Sequence, residues 1–311
     1  MGKIHFERYY PFGPVSRTTL VSAGMPMPPL GKDGWPWSPI NSVSNQAEAA
    51  HVPLISVVTP SFNQAHYIEE TIRSVLLQGY PNIEYILMDG GSTDGSTEIL
   101  QQYRPYFKYL HIGPDGGQAS AIAEGFNHSN GEILAWLNAD DIYLPGALFR
   151  VAAFFKSHPA HVLVGGDVKL IDEDGNEVGL LRAVRSQLFL TKNTGGHGWW
   201  QPGTFWRQNV YKACGGVDPS FSFCMDRDLF IRLCSLGRSG CLPGPPVAAF
   251  RVHQRQKSQT LLKRFYEENE VLFHRYGIPG LSFTRPFLGR LWQAWALWNI
   301  LLRYLYNQIE G

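Results

Sequence analysis

Asn138-Ala139-Asp140-Asp141 places an amide and two adjacent carboxylates directly after the run Glu132-Ile133-Leu134-Ala135-Trp136-Leu137. A run of that length leaves no room for a helix and reads as a buried strand. Leu144-Pro145-Gly146 follows and can start a helix. Acidic groups at the carboxyl end of a parallel strand stand where open α/β sheets bind ligands. Hard oxygen donors there suit a divalent cation shared with a diphosphate. A plainer reading is an Asp-rich turn, since Asp and Asn form turns and cap helices readily.

Two other polar segments close apolar runs in the same way. Thr59-Pro60-Ser61-Phe62-Asn63 ends one run, and Asp89-Gly90-Gly91-Ser92-Thr93-Asp94-Gly95 ends another. On a parallel sheet all three ends share one rim, so a single ligand can touch them all. The glycine loop has neither the Gly-Lys-Ser/Thr of a Walker A loop nor the G-x-G-x-x-G dinucleotide spacing. Asp89 leads it instead. A carboxylate at that rim can accept a hydrogen bond from a nucleobase N–H such as N3 of uracil, or it can cap the turn that follows.

The elements that must hold these ends alternate along the chain. Residues 54–59, 83–88, 107–112, 132–137 and 162–164 read as strands. Between them lie helical patterns, the first with Ile68, Ile72, Val75 and Leu76 on one face and closed by Gly79 and Pro81. Residues 96–103, 118–128 and 145–157 read as further helices. This order predicts an α/β fold with a Rossmann-like, doubly wound, mainly parallel sheet. After Val168, Asp172-Glu173-Asp174-Gly175-Asn176 reads as a turn between two antiparallel strands, and residues 226–236 as a helix. Residues 1–51, crowded with Pro and Gly around Trp35-Pro36-Trp37, cannot form a regular element interior and are expected to be an extended arm packed on the main domain.

Composition narrows the class. Of the 311 residues 44% are hydrophobic, enough for a real core. Lys plus Arg number 27 against 26 Asp plus Glu, a net charge of +1 that leaves no electrostatic footprint for nucleic acid. Cys214, Cys224, Cys234 and Cys241 make no CxxC pair and read as reduced thiols of a cytoplasmic chain. Residues 1–10 carry no signal-peptide pattern. The longest uncharged apolar stretch near the C-terminus, residues 291–302, is well short of the ~20 residues a spanning helix needs.

Four segments in order, Thr59-Pro60-Ser61-Phe62-Asn63, the loop from Asp89 to Gly95, Gly117-Gln118-Ala119-Ser120-Ala121-Ile122 and Leu137-Asn138-Ala139-Asp140-Asp141, resemble the motifs of family 2 glycosyltransferases. The resemblance covers residues 53–260 and is to inverting, GT-A-fold, nucleotide-sugar-dependent, bacterial polysaccharide-type members. It implies a catalytic domain over residues 52–260, with a small antiparallel part on the acceptor side, and a C-terminal helical segment over 261–311. It implies hexosyl-type transfer from a donor, expected to be UDP-linked, to an acceptor hydroxyl in surface polysaccharide or glycoconjugate synthesis. The expected partners are that donor and a saccharide or lipid-linked saccharide.

The resemblance also implies roles. Thr59, Pro60, Ser61 and Asp89 lie on the nucleobase side, with Asp115, Gln118 and Asn138 toward the ribose and diphosphate. Asn138 stands where the family usually has the first acid of Asp-x-Asp, so Asp140, with His253, is expected to hold Mn²⁺ or Mg²⁺. The base is expected within residues 223–230. Asp226 shares a helix face with Leu229, Phe230 and Leu233, at spacings of 3, 4 and 7, whereas Asp228 lies about 200° round and can pair with Arg232. Asp226 is therefore the expected base, and an N-cap role is compatible with it. Trp200, Gln201 and Pro202 are expected on the acceptor side; Trp199-Trp200 could equally be core.

A glycoside hydrolase would also pair carboxylates but would need no nucleobase rim or metal. A sugar nucleotidyltransferase would show a basic, glycine-rich loop after the first strand. A binding module would tolerate loss of Asp226. Finally, residues 290–307 read as one helix with Leu291, Trp295, Trp298, Leu302 and Leu305 on one arc. With Arg285, Arg290 and Arg303 it suits the inner membrane face, or it packs on the catalytic domain or a second copy.

Overall fold

The computed structural model describes residues 24–38, 52–184, 199–254, 256 and 262–278. The helix expected over 290–307, and all of the N-terminal arm except residues 24–38, lie outside the described residues. In chain order the elements are β1 (Ile55–Ser61), α1 (Ile68–Leu76), β2 (Ile83–Asp89), α2 (Ser96–Gln102), β3 (Tyr109–Ile112), α3 (Gln118–Asn127), β4 (Ile133–Trp136), β5 (Ile142–Tyr143), α4 (Ala147–Ser157), β6 (His161–Gly165), β7 (Val168–Ile171) and β8 (Glu177–Leu181). They continue as β9 (Thr204–Arg207), α5 (Gln208–Ala213), α6 (Met225–Ser235), β10 (Arg238–Cys241), β11 (Ala248–Arg251) and α7 (Leu262–Arg275).

A seven-stranded sheet runs in the order β10-β6-β9-β4-β1-β2-β3. Every neighbouring pair is parallel except the two that involve β9. A doubly wound order would set β6 beside β4, but β9 enters between them antiparallel to both. Its residues Phe205 and Trp206 are fully buried, so it completes the middle of the sheet. Side chains alternate across the strands. Val57, Leu87, Ile133 and Ala135 join the core beneath α1, α2 and α4. Val58, Ile86, Met88, Leu134 and Trp136 join the opposite core under α3 and α6. Both faces are covered, which is why these strands read as largely apolar runs rather than as alternating ones.

Register brings the strand ends together. Ser61 is opposite Asp89, Asp89 opposite Ile112, and Val58 opposite Trp136. A second sheet, β5-β11-β7-β8, stands beside this rim. The turn at residues 172–176 joins β7 to β8 antiparallel, but β7 and β11 are parallel, so this part is mixed rather than purely antiparallel. The described piece of the arm packs against it. Trp35 sits beside Ile142, Ile171 and Ala249, and its Nε1 donates to the Tyr143 carbonyl at 2.8 Å. Arg73 of α1 is buried and donates to the carbonyls of Pro26 (2.9 Å) and Trp37 (3.3 Å). Among the described residues no helix is long and apolar enough to cross a membrane.

Candidate active site

The loop after β4 is the hub of the rim. Asn138 accepts a hydrogen bond from Gln118 Nε2 at 3.0 Å and donates from Nδ2 to Gln201 Oε1, also at 3.0 Å. Gln201 in turn donates to the Trp136 carbonyl at 2.6 Å. One amide thus joins the N-terminus of α3, the end of β4 and the turn before β9. A carboxylate at position 138 could not donate to Gln201, so the amide that departs from the family pattern has a structural use here.

Asp140 and His253 come together from residues far apart in sequence. His253 Nε2 lies 3.0 Å from Asp140 Oδ2, with the imidazole side chain only 2% exposed. The His253 ring also meets Tyr67 at 5.0 Å between centroids. Two donors at right angles on a cation, each about 2.1 Å from it, are about 3 Å apart, so this pair suits two adjacent positions of a Mn²⁺ or Mg²⁺ shell. No cluster of three His, Cys, Asp or Glu occurs among the described residues. The remaining positions of such a shell would fall to phosphate oxygens and water, the pattern expected of a cation shared with a diphosphate. Asp141 is different. It is fully buried, its Oδ1 accepts the Arg251 backbone N–H at 3.0 Å, and burial, then the neighbouring Asp140, push its pKa well above the carboxylate range.

Arg251 ties this loop to its surroundings. Its guanidinium donates to the Asp140 carbonyl (3.0 Å), to the carbonyls of Asp172 and Glu173 (both 3.2 Å), and to Glu70 Oε2 of α1 (2.7 Å). It also lies over the Tyr67 ring at 4.9 Å. The residue is 1% exposed. Sequence reasoning passed over it, because a charged residue at a strand end gives no local sign that it will be buried.

The nucleobase side differs from expectation. Thr59, Pro60 and Ser61 are buried, and the Thr59 hydroxyl is 3.0 Å from that of Tyr85. Asp89 is fully buried as well. Its carboxylate accepts the backbone N–H groups of Gly91 (3.1 Å) and Ser92 (2.8 Å) and the Ser92 hydroxyl (2.7 Å). Asp89 therefore acts in this structure as the cap of its own turn. The rim instead exposes Phe62, at 61%, and Asp115. Gly90 lies between them: a Cβ added there would come within 3.1 Å of Asp115 Oδ2 and 3.3 Å of the Phe62 ring. Phe62 was missed because an apolar residue directly after a strand gives no local sign that it will stay exposed. Asp115 Oδ1 accepts the Gly117 N–H at 2.7 Å, shaping the start of α3.

On the other side Trp199 is core, fully buried and packed so closely on Gly165 that a Cβ there would lie 2.5 Å from its ring. Trp200 is half-buried, with Nε1 3.4 Å from the Arg182 carbonyl, and Pro202 is buried. Of the expected acceptor residues, Trp200 and Gln201 keep some exposure.

Asp226 lies in the first turn of α6 and is half-buried. Burial raises its pKa, while the Arg227 backbone N–H, at 2.7 Å from Oδ1, and the Arg227 guanidinium oppose the shift. The N-cap is Cys224, so Asp226 is not the cap. Asp228, two residues on, is fully buried. It pairs with Arg232 (Nε 2.9 Å), as the helix spacing predicts, and also with Arg275 (3.0 Å) and the Tyr276 hydroxyl (2.6 Å).

The family model described as glycosyl transferase family 2 matches residues 56–233, more than half of the chain. The chain belongs to that family. Relatives include the Bacillus subtilis glycosyltransferase TuaG, named for teichuronic acid biosynthesis and 41% identical over 92 residues, 29% of this chain and 36% of TuaG. Three Rickettsia proteins named uncharacterized glycosyltransferases are much longer, and the match spans only 18% to 22% of their lengths. Among solved structures, S. aureus TarS 1–349 in complex with UDP-GlcNAc superposes with a TM-score of 0.55 at 18% identity, covering 65% of this chain and 60% of that one. A Pyrobaculum calidifontis mannosyltransferase in complex with GDP-Man and Mn²⁺ superposes at 0.52 and 17%, covering 84% and 76%. These likenesses carry the fold of the family 2 domain.

Proposed function

We propose that this family 2 chain transfers a sugar from a nucleotide-sugar donor, UDP-linked, to an acceptor hydroxyl with inversion, in the assembly of a bacterial surface polysaccharide. The observation that carries the reading is the convergence, at one rim, of the Gln118–Asn138–Gln201 network and the Asp140–His253 pair. That rim is where an open α/β sheet takes its ligand. The TarS complex with UDP-GlcNAc supports a UDP donor on this fold.

The exposed Phe62 ring offers a stacking face for the base beside Gly90. Asp115, Gln118 and Asn138 would meet ribose and phosphate oxygens, a reading supported by their position along the same rim. Asp140 and His253 would hold Mn²⁺ or Mg²⁺, which when bound neutralises charge on the leaving diphosphate. Asp226 takes the proton of the acceptor hydroxyl as that oxygen attacks the anomeric carbon from the face opposite the diphosphate. A raised pKa suits a carboxylate that must accept a proton, because Brønsted behaviour favours a base whose pKa approaches the working pH. One displacement inverts the carbon and needs no enzyme nucleophile. Trp200 and Gln201 border the acceptor.

The test is release of UDP from a panel of UDP-sugars, with GDP-sugars as comparison, in the presence of Mn²⁺ and candidate saccharide acceptors. Acceptor-dependent UDP release with inverted product stereochemistry supports the reading. A chain that binds nucleotide-sugars but turns none over with any acceptor would return it to the binding-module class.

A further inference from the structure

The N-cap residue of α6, Cys224, makes no side-chain cap bond, and the segment leading into the helix is held from α7. Glu268 Oε1 accepts the Ser222 N–H at 2.8 Å, and Oε2 accepts those of Phe223 (2.7 Å) and Cys224 (2.8 Å). Three consecutive backbone donors converge on one carboxylate from a helix more than forty residues away. The first N–H groups of a helix lack partners within it, and its positive end favours a negative group. The side chain of Cys224, at the N-cap, supplies no such bond.

The neighbouring contacts repeat the pattern. Asn269 takes the Arg227 guanidinium, while Arg275 and Tyr276 take Asp228. Positions 268 and 275, like 269 and 276, are seven residues apart and so recur on one face after two turns. That face holds the three residues before the helix together with Arg227 and Asp228. Glu268 is itself buried, with Arg264 3.4 Å away on its own helix. All of α7 lies beyond residues 56–233, the span that matches the family.

We propose that α7 is the seat of the base-bearing turn, and that Glu268 is a positioning residue that fixes Asp226 toward the acceptor and adds a negative charge behind it. The proposal rests on the reading of Asp226 as the base. Among the described residues, the charged and titratable groups facing Asp226 are Arg227 and Cys224 from its own segment and Glu268 from α7. Burial is the main cause of its raised pKa, and Glu268 acts in the same direction.

The full-length protein, labelled with ¹³C at the aspartate carboxyls, gives a readout that needs no substrate. Asp226→Asn assigns the resonance, which is then titrated in wild type, Glu268→Gln and Glu268→Asp. Glu268→Gln removes the charge, so the Asp226 midpoint moves to lower pH. Glu268→Asp keeps the charge but withdraws the oxygens by one methylene. Its midpoint stays nearer wild type, while kcat for UDP release from UDP-GlcNAc, or GDP release from GDP-mannose if that is turned over, falls about tenfold or more at little-changed donor KM. A merely structural contact would lower the unfolding midpoint and leave the Asp226 titration where it was. An unmoved titration in Glu268→Gln overturns the charge behind the base, and an unmoved kcat in Glu268→Asp overturns the positioning. If Glu268→Gln does not fold, the Glu268→Asp kcat decides. If Asp226→Asn keeps full turnover, the base assignment has failed, and the titration alone decides whether Glu268 governs that carboxylate.

Discussion

Replacing Arg251 by Met tests whether the loop that carries Asp140 is held by one buried cation. The guanidinium is 1% exposed and makes four side-chain hydrogen bonds, to Glu70, Asp140, Asp172 and Glu173. Removing one partner of a buried ion pair costs about 3–5 kcal/mol, largely because the other charge is left stranded. Here the lower end applies. The Glu70 side chain is 17% exposed, so water can reach it, and residues 172–173 sit in a partly exposed turn whose carbonyls can be rehydrated. The expected loss for Arg251→Met is therefore about 3 kcal/mol. Equilibrium urea unfolding measures it, and Arg251→Met/Glu70→Met should recover part of the loss by removing the orphaned charge. Donor binding should weaken as well, since the Asp140 main chain loses its donor; Mn²⁺-dependent UDP binding by calorimetry reads this. A single variant within about 0.5 kcal/mol of wild type, the range of an ordinary surface substitution, would refute the reasoning.

Three other outcomes are expected. Asp226→Asn should lower kcat by about 10²–10⁴ while donor affinity survives, whereas Asp228→Asn should act first on stability, because its buried carboxylate serves Arg232, Arg275 and Tyr276; reversed effects in steady-state kinetics and urea unfolding would undo the assignment. Asp140→Ala should abolish the strengthening of UDP binding by Mn²⁺, and a chelator should abolish turnover of wild type; full turnover in excess chelator would remove the metal from the reading. Because the folded pKa of Asp226 is raised, the native state holds that proton more tightly than the unfolded state, and its contribution to stability falls as pH rises from the usual carboxylate value through the raised one. Asp226→Asn should therefore be at least as stable as wild type at neutral pH, and its advantage should shrink toward acid; unfolding midpoints at several pH values check the sign.

The strands and helices of the first half were legible because each rests on a local period. Both faces of the main sheet are covered, so residues 54–59, 83–88 and 132–137 are mostly apolar and too short for helices, which reads as buried strands. The shared rim followed from parallel order alone. The pairing of Asp228 with Arg232 was legible too, being a matter of one helical turn. The insertion of β9 between β4 and β6 was not, since nothing in four residues of strand says which neighbours they will take.

At the site the boundary falls in the same place. The sequence by itself determined which residue types stand at the strand ends, and hence a rim rich in carboxylate and amide groups. Only the tertiary structure decided which of those groups face outward. Of the two readings open for Asp89 the structure takes the turn cap, its buried carboxylate bonded to backbone donors two and three residues on, while Phe62 and Asp115 are exposed on the rim. Tertiary structure alone also supplied the supports. Arg251 reaches Glu70 across 181 residues, and Glu268 reaches Cys224 across 44. Contacts at such separations follow no local period; they exist because burying a charge or a row of unpaired N–H groups is costly unless the fold brings a partner to meet it.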